Sequence, residues 1–268
     1  MNQGTQNTAV RKPEAVAQRI VCLGLLFLRG EIEQNMAGAS SDGARKIHRD
    51  THARLYEWTR QGDLHKWFHP AETLEWELPL GQWLPATTIR TSWLPESNGT
   101  LLWALGRLAH LPPIEEVFDV LAIVRKLPLL QDPAPFLQAV ALRPLSELEQ
   151  AFRVMDIWHW RAQVDAAIRG ELTPPDDWTW PKIIRVTLDL AHEEGVVPAP
   201  LDDDLACFGK PYRDLEPAQR RFVASVSTER LRALAWVLGR VEQWGDLPTS
   251  SVGAAADATP AGSPAGAN

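Results

Sequence analysis

The chain has 268 residues, 45% of them hydrophobic, enough for one large buried core or two small ones. Its 27 basic residues are outnumbered by 34 acidic ones, for a net charge of -7, which argues against nucleic acid as a partner because phosphate backbones demand a cationic surplus. Only Cys22 and Cys207 are present, far apart and outside any CxxC pair, so a disulfide framework and a thiolate zinc site are both disfavoured and a reducing cytoplasm fits.

In chain order, residues 1–10 read as a flexible N-terminus, and Pro13 stands where a first helical residue would, with apolar positions dense to Leu28 and a stop expected near Gly30. The run Ile20 to Leu28 is too short to span a bilayer, and Arg29, Glu31 and Glu33 after it argue against a secretion signal, so no membrane partner is expected. A polar link from Gln34 to Gly43 precedes a helix over Ala44 to Arg60, closed at Gly62, and a short helix follows Pro70. Helices are then predicted over Glu96 to His110, Ile114 to Leu127 and Pro133 to Leu142. The longest candidate, Ser146 to Arg169, opens with Ser146 and Glu149 in a capping-box pattern, and its apolar residues cover most of its circumference, which places it centrally. Trp180 to Glu194 reads as another helix, and a helical pair spans Pro217 to Trp244. No convincing period-2 strand is found, so the expected fold is all-α, a single irregular multi-helix domain over 11–247 around a long apolar central helix. The Ala/Gly/Ser/Pro stretch 248–268 cannot bury enough surface to offset its ordering entropy and reads as a disordered tail.

The octets LLWALGRL (Leu101 to Leu108) and LAWVLGRV (Leu234 to Val241) nearly repeat one another at an offset of 133 residues, with Ser92/Ser225 and Glu96/Glu229 also matched. Leu101, Leu105 and Leu108 form one helical stripe, and Gly106 and Gly239 inside helices suggest close backbone approach covered by Trp103 and Trp236. Two helices packed antiparallel about a pseudo-twofold would place Glu96 near Arg240 and Glu229 near Arg107; a generic buried-helix phrase arising twice by chance is the other reading. The Asn98-Gly99 step interrupts the first copy.

Trp93, Glu96-Ser97 leading into LLWALG, the Asp156 to Arg161 stretch DIWHWR running on to Asp165 and Gly170, and Glu229-Arg230 before ALAWVLG together give the chain its family character. It resembles a bacterial domain-of-unknown-function family, number 4272, over roughly Arg11 to Trp244, departing from the family's usual pattern at Asn98-Gly99 and at Ala235. The resemblance supports a fold and implies no chemistry.

His48 with His52, and His65 with His69, have the i, i+4 spacing that presents two imidazoles on one helix face, and Asp50, Asp63 or Glu72 would complete a metal site, although no HExxH is present. His159 with Asp156 is the best general-base candidate, against a core histidine beside an Arg161/Asp165 pair. Asp202-Asp203-Asp204 lacks the spacing of a calcium loop and reads as an exposed acidic loop. No GxGxxG or GxxxxGK[ST] phrase occurs, so no cofactor is expected. The Trp-rich segment from Trp58 to Trp103 reads as core, or as a partner-binding surface if its indoles lie exposed on one face. The expected function is non-enzymatic binding of a protein partner in the cytoplasm, in a regulatory or immunity-like role; the alternatives are a metal-dependent hydrolase and a small-molecule binder with a Trp-lined pocket.

Overall fold

Among the described residues seven helices carry a proline in their first turn, where a missing N–H removes no intrahelical bond and the fixed φ already suits a helix. The computed structural model describes residues 9–138, 140–175 and 177–248. Residues 1–8 of the expected flexible N-terminus, and the expected tail from 249 onward, lie outside the described residues.

The architecture is all-α. It runs α1 (Pro13–Gly38), α2 (Asp42–Gln61), α3 (Pro70–Glu77), α4 (Pro85–Ser92), α5 (Leu94–Ala104), α6 (Val120–Val124), α7 (Ala134–Gln138), α8 (Leu145–Arg169), α9 (Trp180–Glu193) and α10 (Pro217–Val237). Short 3-10 turns lie at Leu64–Trp67 and Tyr212–Asp214. One minimal hairpin, β1 (Ala206–Cys207) with β2 (Lys210–Pro211), pairs antiparallel, a feature too short to leave a period-2 pattern in the sequence.

The order of elements repeats. Pro13 of α1 and Leu145 of α8 are 132 residues apart, and so are Gly62 and Glu194, the C-caps of α2 and α9, and Pro85 and Pro217, which open α4 and α10. At that offset α1 and α8 share Gln18/Gln150, Arg29/Arg161 and Gly38/Gly170, with Val16/Leu148, Ile32/Val164 and Glu33/Asp165 conservatively matched. In the first unit α1 packs on α2, α4 and α5; in the second α8 packs on α9 and α10. The continuous α10 answers to α4 and α5 together, which are separated at Trp93, two residues before Pro95.

The units meet where α5 crosses α10. Buried Glu96 accepts from Arg230 Nε at 2.8 Å, and Ser97 Oγ donates to Glu229 Oε2 at 2.6 Å. Each contact joins the first residue of one pair, Glu96-Ser97 or Glu229-Arg230, to the second residue of the other, which is the reciprocity a twofold crossing requires. The sequence-based pairing is thereby corrected: Arg240 pairs with Glu149, and Arg107 donates to the Phe136 carbonyl and stacks on that ring. Arg107 and Arg240 lie beyond the helix ends, so the crossing cannot reach them.

The glycines of the octets act differently from expectation. Gly106 and Gly239 have φ of +67° and +66°, and Arg107 N–H donates to Leu102 O as Arg240 N–H donates to Ala235 O, both at 2.8 Å. Both are left-handed stops that close a helix end, and nothing lies within 4 Å of a Cβ built on Gly106, so no close approach explains it. Close approach belongs to Gly99, where a Cβ would meet the Phe118 ring at 2.4 Å, and Asn98 donates to the Ile20 carbonyl at 3.3 Å; both sit inside α5, which the Asn98-Gly99 step does not interrupt.

Other boundaries also move. Helix α1 continues past Gly30, whose bare Cα lets Thr91 of α4 approach, with a Cβ there meeting Thr91 Oγ1 at 2.4 Å. Residues 114–127 hold only one helical turn and a half, because Glu96 Oε1 ties the Phe118 N–H at 2.9 Å and Arg230 takes the carbonyls of Pro112 and Glu116. The N-terminus of α8 has no side-chain cap, because the helix begins at Leu145 with Pro144 as its N-cap, which puts Ser146 inside the first turn, and Glu149 pairs with Arg240.

Substituting Glu96→Gln keeps the volume and removes the carboxylate that pairs with buried Arg230, so we expect a loss of about 2–4 kcal/mol in unfolding free energy by urea denaturation; a loss under about 0.5 kcal/mol would contradict the role given to this crossing.

Candidate functional site

The sequence-predicted histidines do not assemble. Helix α2 carries His48 and His52 on one face, but His52 Nε2 is taken up by the Arg29 guanidinium, and its ring lies against Tyr56 and Trp76. His65 is exposed beside Asp63, at 3.6 Å, and His69 is the N-cap of α3, accepting from the Ala71 N–H. Among the described residues no three His, Cys, Asp or Glu side chains come together as a metal ion would need. Asp50 pairs with Lys46, Asp63 with Lys66 and Glu72 with Arg19.

His159 is buried, with Nδ1 3.1 Å from Thr228 Oγ1 and Nε2 2.9 Å from the Gln163 amide. Burial lowers its pKa, opposed by Asp156 and aided by Arg232. With both ring nitrogens committed to neighbours it has no nitrogen turned toward a substrate. The expected Arg161/Asp165 pair is also replaced: Arg161 pairs with Asp204, and Asp165 with Arg169 and Arg220. Both cysteine thiols are pushed up to about 12, chiefly by burial, so neither is a thiolate nucleophile near neutrality.

The Trp residues expected as core or docking surface are core. Trp76, Trp83 and Trp103 are buried, and Trp58, Trp67 and Trp93 are half-buried and packed on the same core. Trp158 and Trp160 are likewise buried, the first 6.5 Å from the Tyr212 ring.

What the sequence reading missed is a cleft of about 560 Å³ in the second unit, between the C-terminal half of α8, the start of α9 and the 203–213 segment. Its volume lies in the range of small-molecule sites. Five basic side chains (Arg161, Arg169, Lys182, Arg185, Arg213) and three acidic ones (Asp165, Asp203, Asp204) line it. Asp204, taken from sequence as part of an exposed acidic loop, is 1% exposed and accepts from Arg161 Nε at 2.7 Å and Nη2 at 2.8 Å, and from the N–H groups of Leu205 and Arg213. The fork of Arg161 lies over the Tyr212 ring at 4.5 Å, and burial pushes that phenol up to about 12, so the ring stays neutral.

One nitrogen of this arrangement is unsatisfied. Arg161 is 1% exposed, and its Nη1 has no hydrogen-bond partner. A buried donor without an acceptor costs about 1–3 kcal/mol, which an oxygen arriving from outside would recover. Around it, exposed Arg185 forms no ion pair among the described residues, and Lys182 lies over the Trp178 ring at 4.4 Å. Thr179 caps α9, whose N-terminal dipole adds partial positive charge at the same wall. A smaller cleft of about 340 Å³ near Trp244 is balanced by the pairs Arg19–Glu72, Arg90–Glu75 and Arg232–Glu229 and lacks this cationic excess.

Burial and then the Arg29 charge push the His52 pKa from its ordinary 6.5 down to about 4. The neutral ring is the folded form, so its stabilisation is complete above pH 6.5 and is lost as the pH falls toward 4. Discounted for partial exposure, this amounts to on the order of 1–2 kcal/mol. His52→Gln retains an acceptor for Arg29 and removes the titration, so unfolding free energies measured from pH 7 to 4 should fall less steeply in the variant; equal slopes would contradict the assignment.

No curated protein and no solved structure matches the chain. No helix among the described residues is long and apolar enough to cross a membrane. A family model described as "Domain of unknown function (DUF4272)" matches residues 2–177, from before α1 to the loop after α8, and the chain belongs to that family.

Proposed function

We propose that this DUF4272 chain is a binding protein for a small anionic ligand, held in the cleft of its second unit, and that it works in a reducing cytoplasm, where two buried unpaired cysteines are at ease. The observation that carries the reading is the unsatisfied Nη1 of buried Arg161 in a cleft with a cationic excess. A guanidinium presents donors in a fixed planar fork, the geometry that carboxylates and phosphates match.

Comparison of the two units supports it. Arg29, the counterpart of Arg161, gives Nε and Nη2 to Glu33, Nη2 also to the Leu78 carbonyl, and Nη1 to His52 Nε2. The residue 132 positions beyond His52 is Ile184, which lines the cleft and has no acceptor to offer. The first unit satisfies every nitrogen of Arg29 internally, although Arg19 Nε on the same helix has no partner among the described residues, whereas in the second Arg161 Nη1 is left for an acceptor from the cleft. Among the described residues no ligand set converges in support of the metal-hydrolase reading, and no Trp is exposed in support of the protein-docking one.

Inorganic phosphate and glutarate, each against sodium chloride at equal ionic strength, test the proposal by thermal unfolding. At ten times its Kd a ligand stabilises by about 1.4 kcal/mol, or roughly 3–6 °C in a domain of this size. We expect such a rise with at least one probe, and its disappearance in Ile184→His, which restores the acceptor found in the first unit while the protein remains folded. No rise over chloride with either probe, or an undiminished rise in Ile184→His, overturns the proposal.

A further inference from the structure

We infer that the ligand of this cleft is a net-negative zwitterion of the aminodicarboxylate class, its carboxylates taken by Arg161 and Arg185 and its ammonium by Asp203. The inference rests on the anion site proposed above and adds the ammonium subsite. The three lining carboxylates are not equivalent. Asp204 is consumed by the Arg161 fork, and Asp165 by Arg169 and Arg220, at 2.8 and 3.6 Å. Asp203 is exposed, lines the cleft, and has no ion pair or side-chain hydrogen bond among the described residues.

Its position is fixed by the backbone. Leu201 and Asp204 exchange N–H···O bonds of 2.8 and 3.0 Å, and the two residues between them, Asp202 and Asp203, have φ of 49° and 61°. A two-residue turn with both central residues left-handed suits Asn-Gly best, and Asp tolerates it at some cost. The same turn places Asp204 under Arg161, so Asp203 is the chain neighbour of the residue that holds the Arg161 fork, and both Asp203 and Arg161 line the cleft.

For a plain dianion this arrangement is a poor design, since Asp203 repels it across the same cleft. For a ligand carrying an ammonium beside its carboxylates, the repulsion becomes an attraction, and the selectivity against the des-amino compound follows from one side chain. The basic excess over the three carboxylates matches a ligand of net negative charge.

The test compares L-glutamate with glutarate, which lacks only the amino group, by titration calorimetry on the full chain, wild type and Asp203→Asn. Asn suits a left-handed turn position at least as well as Asp, so the variant should fold. We expect L-glutamate to bind the wild type about five- to tenfold tighter than glutarate. In Asp203→Asn we expect L-glutamate to weaken and glutarate to tighten, so that the preference falls below about twofold; a purely structural role for Asp203 would move both probes the same way. Equal binding of the two by the wild type, or a preference that survives Asp203→Asn, overturns the zwitterion and leaves the anion site standing. Binding of neither probe overturns the zwitterion, and the anion site falls with it only if phosphate fails as well.

Discussion

A guanidinium taken out of water must be given acceptors, and the placement of this chain's helices and loops follows from that requirement. Arg19, Arg29, Arg161 and Arg230 are each 5% exposed or less, and each stands on a long helix of the core. Arg230 gathers Glu96 from α5 and the carbonyls around Pro112 and Glu116, which pins the segment after α5 across the crossing of the two units. Arg29 holds α2 through His52 and the turn after α3 through the Leu78 carbonyl, and Glu33 beside it accepts from the Gly81 N–H. Arg161 fixes the 201–213 clip through Asp204. Part of the acceptor set comes from helices, as Glu33, His52, Glu72 and Glu96 do, and part from irregular segments, as the Leu78, Pro112 and Glu116 carbonyls and Asp204 do, so those segments have defined positions although they lack regular structure.

The matched order of elements in the two units shows where one constraint recurs and where it fails to be met. The two matched helices each carry a buried arginine, at positions 29 and 161. In the first copy α2 supplies His52 and the guanidinium is satisfied; in the second the matching position is Ile184, and a cleft stands open beside it. The reciprocal crossing joins the two helix sets, and only the second of the two matched arginines keeps an unsatisfied nitrogen.

Much of the fold was legible in the sequence. Proline starts, glycine stops and the apolar circumference of α8 gave the long helices and the all-α class, because these are local signals. The octet repeat was visible, but its meaning was not. Leu-Gly-Arg at a helix end satisfies carbonyls through a left-handed glycine, and residue spacing alone does not distinguish that from a glycine in a packed helix. The 132-residue match of α1 with α8 is carried by three identities and a buried pattern, too sparse to see without the structure. Asp204 read as solvated because its neighbours are acidic, and only long-range pairing 43 residues away buries it. The candidate cleft left no motif, since its residues come from three separate segments.

The unsatisfied nitrogen of Arg161 is the central feature of the proposed site. Nitrogen-detected NMR of the arginine guanidinium groups, with phosphate titrated against chloride at constant ionic strength, reads that group directly. A new hydrogen bond at Nη1 should shift the Arg161 Nη resonance and slow its proton exchange in step with saturation, while Arg29 and Arg230 remain unmoved. Shifts confined to exposed arginines such as Arg185, with Arg161 unchanged at saturation, would contradict it and reduce the cleft to a patch of surface charge.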